Sequence, residues 1–344
     1  MSSANTRSRT FEVARNFVVL IVPFLEAVRL TPLPTNTSFA SMFQASIGFA
    51  RALCLALMTI LFSTAPSRFP VPRLRSHVIL LGTGTPNADP ARSGPAVAIV
   101  VDSNTYIVDA GPGIVRRAAA AKIAMPSLRV AFLTHLHSDH TVGLPDLMFS
   151  PWVLGRTVPL DVYGPPGTTA MVDHLQAAYA EDIDIRLHGG EPSNKTGYGG
   201  KGHDVPAGVV YRDSLVTVTA FEVPHGKWPH AYGYRFQTPD RTIVISGDTS
   251  PSDAVATACD GCDVLVHEVI SSESLKGRTA DWQAYHRAYH TPGYELGDVA
   301  TKARPKLLVL YHQLPSGVAD VALLREVHAR FHGLVVSGKD LGVY

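Results

Sequence analysis

The sequence predicts a layered α/β fold built on mixed sheets, and three observations carry that prediction. From His77 onward, apolar strand patterns alternate with helix patterns, as in folds that stack helices on sheets. Several neighbouring strands are separated by only a few turn-forming residues, so they pair as hairpins and a purely parallel sheet is excluded. Several apolar strands also end on a histidine or an aspartate, which gathers ionisable groups at one sheet edge.

The elements follow in order. "HVILLGTGTP" is an apolar strand running into a Gly-rich turn, and "AVAIVVDSNTYIVDAGPG" is two strands joined near Ser103 and Asn104. "GIVRRAAAAKI" is helical, and "LRVAFLTH" is a buried strand that delivers a histidine cluster at its end. "TVGLPDLMFSPWVLG" starts a helix, "LDVYGPPG" is a strand and turn, and "TTAMVDHLQAAYAEDI" is an amphipathic helix. Residues 187–206 are polar and Gly-rich and read as a long loop. Strands resume with "SLVTVTAFEVPHG", "YGYRFQT", "RTIVISGDT" and "DVLVHEV". The helix "TPGYELGDVATKAR", the strand "KLLVLYH" and a last helix before "LVVSGKDLGVY" complete the chain.

The 344 residues are 46% hydrophobic and 17% charged, an ordinary globular composition with enough apolar mass for a large core. The near-zero net charge hides an asymmetry. Through Arg75 there are eight Arg against Glu12 and Glu26, net +6, and the remainder is net −5. The latter sign disfavours a nucleic-acid footprint. Within the basic extension of residues 1–75, the segment 42–65 has Arg51, an apolar run from Ala52 to Phe62 and small residues ending Ser63-Thr64-Ala65. It predicts a secretory signal or an amino-terminal anchor, and any membrane contact would come through it. The competing expectation is an extension from an upstream start codon and a cytoplasmic protein. The folded domain is placed at 76–344. Of the three cysteines, Cys259 and Cys262 form a lone C-x-x-C; they are expected to be two ordinary semi-buried thiols, without a disulfide framework.

The densest chemistry is "FLTHLHSDHTVGLPDL". His135 and His137 alternate on an extended segment, so both imidazoles reach one ion, while Asp139 and His140 start a helix and turn elsewhere. Such a run supplies two ions, and its ligand types suit zinc, with iron or manganese less favoured. His225, Asp248 and His312, each following an apolar strand, are the further ligand candidates.

These residues, with "LLGTGTP", "YIVDAGPG", "VYGP", "VPHG", "YGYRF", "ISGDT", "DVLVHEV" and "LLVLYH", make the chain resemble the metallo-β-lactamase fold hydrolases, in their ribonuclease Z-like branch. The resemblance runs from about residue 77 to the end. It implies an αββα sandwich, two mixed sheets flanked by helices, with two Zn2+ at one edge. By the same resemblance His135, His137 and His225 are ligands of the first ion, Asp139, His140 and His312 of the second, and Asp248 bridges them. Asp109 would support the histidine loop from behind. "HSDH" with "SGDT" points away from the true β-lactamases, which usually lack both the second histidine and the bridging aspartate.

A metal-bridging hydroxide would then hydrolyse an ester-type bond, with Asp139 also orienting the attacking water. His267, oriented by Glu268, would assist the leaving group, and His290 falls where the branch places another histidine near the site. Trp228, His230, Trp282, Tyr285 and His286 could line a pocket, but most are expected to pack. The tRNA-processing members usually carry a long arm, in many bacterial members between the strands matching "GYRFQ" and "ISGDT"; here only a few residues join those strands. A small or medium ester such as a phosphodiester is therefore the expected substrate. The alternatives are a tRNA 3′-end endonuclease acting on pre-tRNA and a non-catalytic metal-binding protein of the same fold. Members of this fold are often homodimers, though no apolar stripe in the sequence marks an interface.

Overall fold

In the computed structural model of the protein, residues 75–314 and 320–344 are described. The candidate signal or anchor segment at 42–65, and nearly all of the extension that holds it, lie outside the described residues.

Strand β1 (Ser76–Gly82) pairs antiparallel with β2 (Ala96–Val101), and β2 with β3 (Asn104–Val108). The β2–β3 turn is the tight one expected, with Asp102 in the left-handed region at φ 53°. β3 then pairs parallel with β4 (Leu128–Phe132), β4 with β5 (Leu160–Gly164), and β5 with β6 (Gly200–Asp204). The second sheet begins as an antiparallel meander of β7 (Gly208–Arg212), β8 (Thr217–Glu222), β9 (Tyr232–Gln237) and β10 (Thr242–Ile245). It continues in parallel through β11 (Val264–Ile270), β12 (Leu307–Leu314) and β13 (Val335–Ser337). A six-stranded and a seven-stranded mixed sheet result.

Helices α1 (Ile114–Ala120), α2 (Ser138–Thr141), α3 (Leu144–Val153), α4 (Thr168–Ala178) and α5 (Ala180–His188) belong to the first half. Helices α6 (Asp253–Cys259), α7 (Ser272–Lys276), α8 (Ala280–Tyr289), α9 (Gly293–Ala303) and α10 (Asp320–His328) belong to the second. Side-chain alternation along the strands explains the layers. Val78 and Leu80 of β1 face Tyr234, Phe236, Ile243 and Val266 between the sheets. Ile79 and Leu81 point the other way, onto Leu147, Met148 and Trp152 under the helices. On the far side Val244, Leu265 and Leu308 pack against Val255, Leu296 and Val327. Three apolar layers between four structural ones give the αββα sandwich. Each fully buried aliphatic side chain contributes about 1.5–3 kcal/mol to holding it. No helix among the described residues is long and apolar enough to cross a membrane.

Two expectations need correction. Residues 187–206 are not one loop: α5 runs to His188, and Gly200–Asp204 forms the edge strand β6. "GKGHD" has no apolar alternation, so only pairing with β5 makes it a strand. Gly202 is needed there, since a Cβ would lie 2.4 Å from Thr169 Cα of α4. Second, Cys259 and Cys262 are joined in a disulfide, and both are buried. Helix α6 ends at Cys259, and Asp260 (φ 37°) and Gly261 (φ 80°) reverse the chain. That reversal brings the two Cα atoms to 4.7 Å, inside the range a disulfide spans.

Candidate metal centre

The histidine run begins where β4 leaves the first sheet. His135 follows the strand, His137 is the extended residue before α2, and Asp139 and His140 lie in its short first turn. The turn is anchored against the "VDAGPG" loop, because Ala110 N–H donates to His140 O (2.7 Å) and Gly143 N–H to Ala110 O (2.8 Å). Glycine is required at this approach: a Cβ on Gly143 would lie 2.3 Å from Gly111 O. Asp109 fixes the ring that matters most. Its Oδ1 accepts from Thr134 N–H (2.8 Å), and its Oδ2 lies 2.8 Å from His140 Nδ1, leaving His140 Nε2 for a ligand.

The second sheet supplies the rest from the carboxyl ends of three strands. His225 follows β8, and its Nδ1–H donates to Tyr289 O (2.8 Å), so Nε2 is free. Asp248 follows β10. His312 sits within β12 as an extra residue: Glu268 pairs with Tyr311 and Val269 with Gln313, skipping it. This bulge, with His312 at φ 40°, re-aims its imidazole into the crevice.

His135, His137, His225 and Asp248 bring their ligand atoms within 4.8 Å of one another, and so do Asp139, His140 and His312. In the first group His135 Nε2 and His225 Nε2 lie 2.8 and 3.2 Å from His137 Nδ1. In the second, His312 Nε2 is 3.2 Å from Asp139 Oδ2, and His140 Nε2 is 3.6 Å from it. Asp248 is one of the first set and reaches the second as well, with Oδ1 3.4 Å from His140 Nε2 and Oδ2 3.6 Å from His312 Nε2. His140 Nε2 and Asp248 Oδ1 are buried without a hydrogen-bond partner. Buried polar atoms left unpaired among converging nitrogen and carboxylate ligands fit a metal centre.

The two groups differ electrostatically. Burial lowers the basicity of His135 and His137 and brings His225 down to about 4, so the first group is neutral imidazole. For His140 burial acts in the same direction, but Asp248 and Asp109 outweigh it and hold the ring well above its ordinary value. His312 is likewise raised against its burial by Asp248 and Asp139.

The remaining candidates divide. Glu268 Oε1 accepts from Thr291 N–H (2.8 Å) and Thr249 N–H (3.3 Å), while Oε2 faces His290 Nδ1 at 3.5 Å. Glu268 therefore addresses His290, not His267. His267 is fully buried, with Nδ1 2.6 Å from the Glu268 backbone carbonyl. His290 also joins Asp248 and His312 in a third ligand-like group. Sequence reasoning missed Thr134 and left Trp228 between lining a pocket and packing. Thr134 Oγ1 lies 3.0 Å from His135 Nδ1, and the Trp228 indole nitrogen lies 2.9 Å from His137 Nε2. Trp228 thus meets the centre instead of merely packing; "HGKW" offered no signal beyond nearness to His225.

A model of the β-lactamase superfamily domain matches residues 104–313. The chain belongs to the metallo-β-lactamase superfamily. Within it the ribonuclease Z-like branch is shown by the relatives. A ribonuclease Z of Mycobacterium sp. (strain KMS) is 35% identical over 70% of this chain and 84% of its own length. Among solved structures, the metallo-β-lactamase fold protein YhfI from Bacillus subtilis has a TM-score of 0.62 at 19% identity, covering 78% of this chain and 98% of that one. The short form of human tRNase Z has a TM-score of 0.59 at 20% identity with the same coverage. This metallo-β-lactamase fold chain is a hydrolase with a His/Asp centre placed for metal binding.

Proposed function

We propose that the chain hydrolyses a phosphodiester or related ester of small or medium size at a dinuclear zinc centre. The observation that carries this reading is Asp248, whose carboxylate lies within 4.8 Å of the ligand atoms of His135, His137 and His225 and also turns its oxygens to His140 and His312 of the other group. His135, His137 and His225 would hold one ion, Asp139, His140 and His312 the other, and Asp248 would bridge. When bound, a zinc pair activates water near neutral pH and neutralises charge developing on the ester oxygens.

The chain's own groups do the rest. Asp139, which lines a cavity of about 650 Å³ together with Arg92 and Ser138, orients the attacking water. Burial and then Asp248 push Glu268 well above the ordinary carboxyl range, which favours its protonated form, and burial holds His290 neutral at about 4. Glu268 can then donate to His290 Nδ1, which places the ring proton on Nε2. As the ester bond breaks, Nε2–H passes to the departing oxygen and Glu268 supplies Nδ1, ending as carboxylate.

A tRNA 3′-end endonuclease is the second reading, favoured by the ribonuclease Z relatives. Against it stand the net −5 of the sequence after Arg75 and the short turn between β9 and β10, closed by Thr238 N–H donating to Arg241 O (2.9 Å). One experiment separates them: turnover of bis(4-nitrophenyl) phosphate, sulfate esters, lactones, β-lactams and pre-tRNA by one preparation of known metal content. Phosphodiester turnover should lead, and Glu268→Gln should lower its kcat about a hundredfold with little change in KM. Faster release of a pre-tRNA trailer than of nitrophenol would sink the small-ester reading. Less than one zinc per chain with no turnover would leave a metal-binding protein only.

A further inference from the structure

Helix α8 carries Trp282, Tyr285, His286 and Tyr289 at positions i, i+3, i+4 and i+7, the spacing of a core-facing stripe. It does not behave as one. No residue of α8 is buried, Trp282 is 53% exposed and Tyr285 is 41% exposed. The rings stack instead on one another, in two columns that start at the metal centre. In the first, Tyr289 packs edge-on to His225 (5.0 Å between centroids), and Tyr285 stacks on Tyr289 (4.4 Å, 23°). In the second, His290 lies over His312 (6.1 Å, 20°), His286 is 5.9 Å from His290, and Trp282 stacks on His286 (5.5 Å, 25°).

The helix is also tied to the site through its backbone. Tyr289 O accepts from His225 Nδ1, and Gly226, at φ 57°, has no side chain to hold the Tyr289 ring away. Asp248 and Asp139 both contribute to raising Tyr285, behind burial and Tyr289, so its hydroxyl lies within reach of their field.

Trp282 and Tyr285 leave an exposed aromatic pair at the outer ends of these columns, the kind of surface that marks a binding site. The columns are continuous with the catalytic side chains, and the occupant must therefore be part of the molecule that reaches them. We propose that α8 is a stacking platform that selects esters bearing a planar aromatic or heteroaromatic group, a nucleobase or an aryl ring, with Trp282 and Tyr285 as its contact surface. Base-on-ring stacking is sequence-tolerant and strong enough to set substrate preference. This inference deepens the phosphodiesterase reading and rests on it for the identity of the reacting bond.

The test uses the full-length, zinc-loaded protein and two matched pairs. Bis(4-nitrophenyl) phosphate and methyl 4-nitrophenyl phosphate share a leaving group and differ in the retained one. Adenosine 5′-monophosphate and ribose 5-phosphate share a phosphate and differ in the base, and calorimetry reads their binding without turnover. The wild type should favour the aromatic member of each pair by about fivefold or more. Trp282→Leu and Tyr285→Leu should each shrink that ratio, and Trp282→Phe should retain most of it. Absence of a ratio in the wild type, or ratios unchanged in both leucine variants, overturns the platform. So does a change of oligomeric state in those variants, because the stripe would then be covered by a second copy. If neither phosphodiester is hydrolysed while the adenosine advantage persists and falls in Trp282→Leu, the platform stands and the phosphodiesterase reading falls.

Discussion

The two halves of the metal centre are built from opposite electrostatics. His135, His137 and His225 are neutral imidazoles kept so by burial, and carboxylate enters their group only through Asp248. His140 and His312 sit among Asp109, Asp139 and Asp248, which raise their basicity against the effect of burial. The first half is ready to bind; the second must give up protons first. What separates them is carboxylate placement, since both halves are deeply placed and rich in histidine.

Three experiments press on that difference, the strongest first. Asp248→Ala removes the one side chain common to both halves. Zinc content should fall below one per chain, and activity should fall by about a thousandfold or more, by loss of an electrostatic clamp as well as a ligand. Two zinc ions retained with full turnover would refute the shared role.

Asp109→Asn acts directly on the second half, through the His140 Nδ1 contact at 2.8 Å, and reaches the first only indirectly, through Thr134 beside His135 Nδ1. Loss of such a partner costs about 10–100-fold in metal affinity. The expected result is one tight zinc and one weakened, seen by chelator competition. Equal weakening of both sites would mean that the halves are not separable.

The smallest effect is a proton count. With the first-half pKa values lowered, those rings carry no proton to lose near pH 7; with His140 and His312 raised, theirs must leave. Filling the second half should therefore release about one to two protons per chain, and filling the first should release about none. Calorimetric zinc titrations in buffers of different ionisation enthalpy would read this. Equal release at both steps would remove the asymmetry.

Much of this was legible in the residues. The strand patterns predicted mixed sheets because side-chain alternation and short turns are local properties, and "HLHSDH" marked a metal site because its spacing is local too. The pattern stopped where packing took over. "GKGHD" became β6 only by pairing with β5, and the two cysteines met only because Asp260 and Gly261 turn the chain. His312 reaches the centre through a bulge that depends on the register between β11 and β12, which no single strand encodes. Glu268 is directed to His290 and not to its neighbour His267, since successive strand residues point to opposite faces.

The sequence by itself determined the layers, the ligand types and the strand ends that carry them, because periodicity and residue chemistry are carried along the chain. Only the tertiary structure decided which carboxylate meets which imidazole, and that the aromatic stripe of α8 faces outward beside the centre and not inward. Those outcomes depend on distances between strands and helices far apart in sequence, and close packing of the whole sandwich sets them.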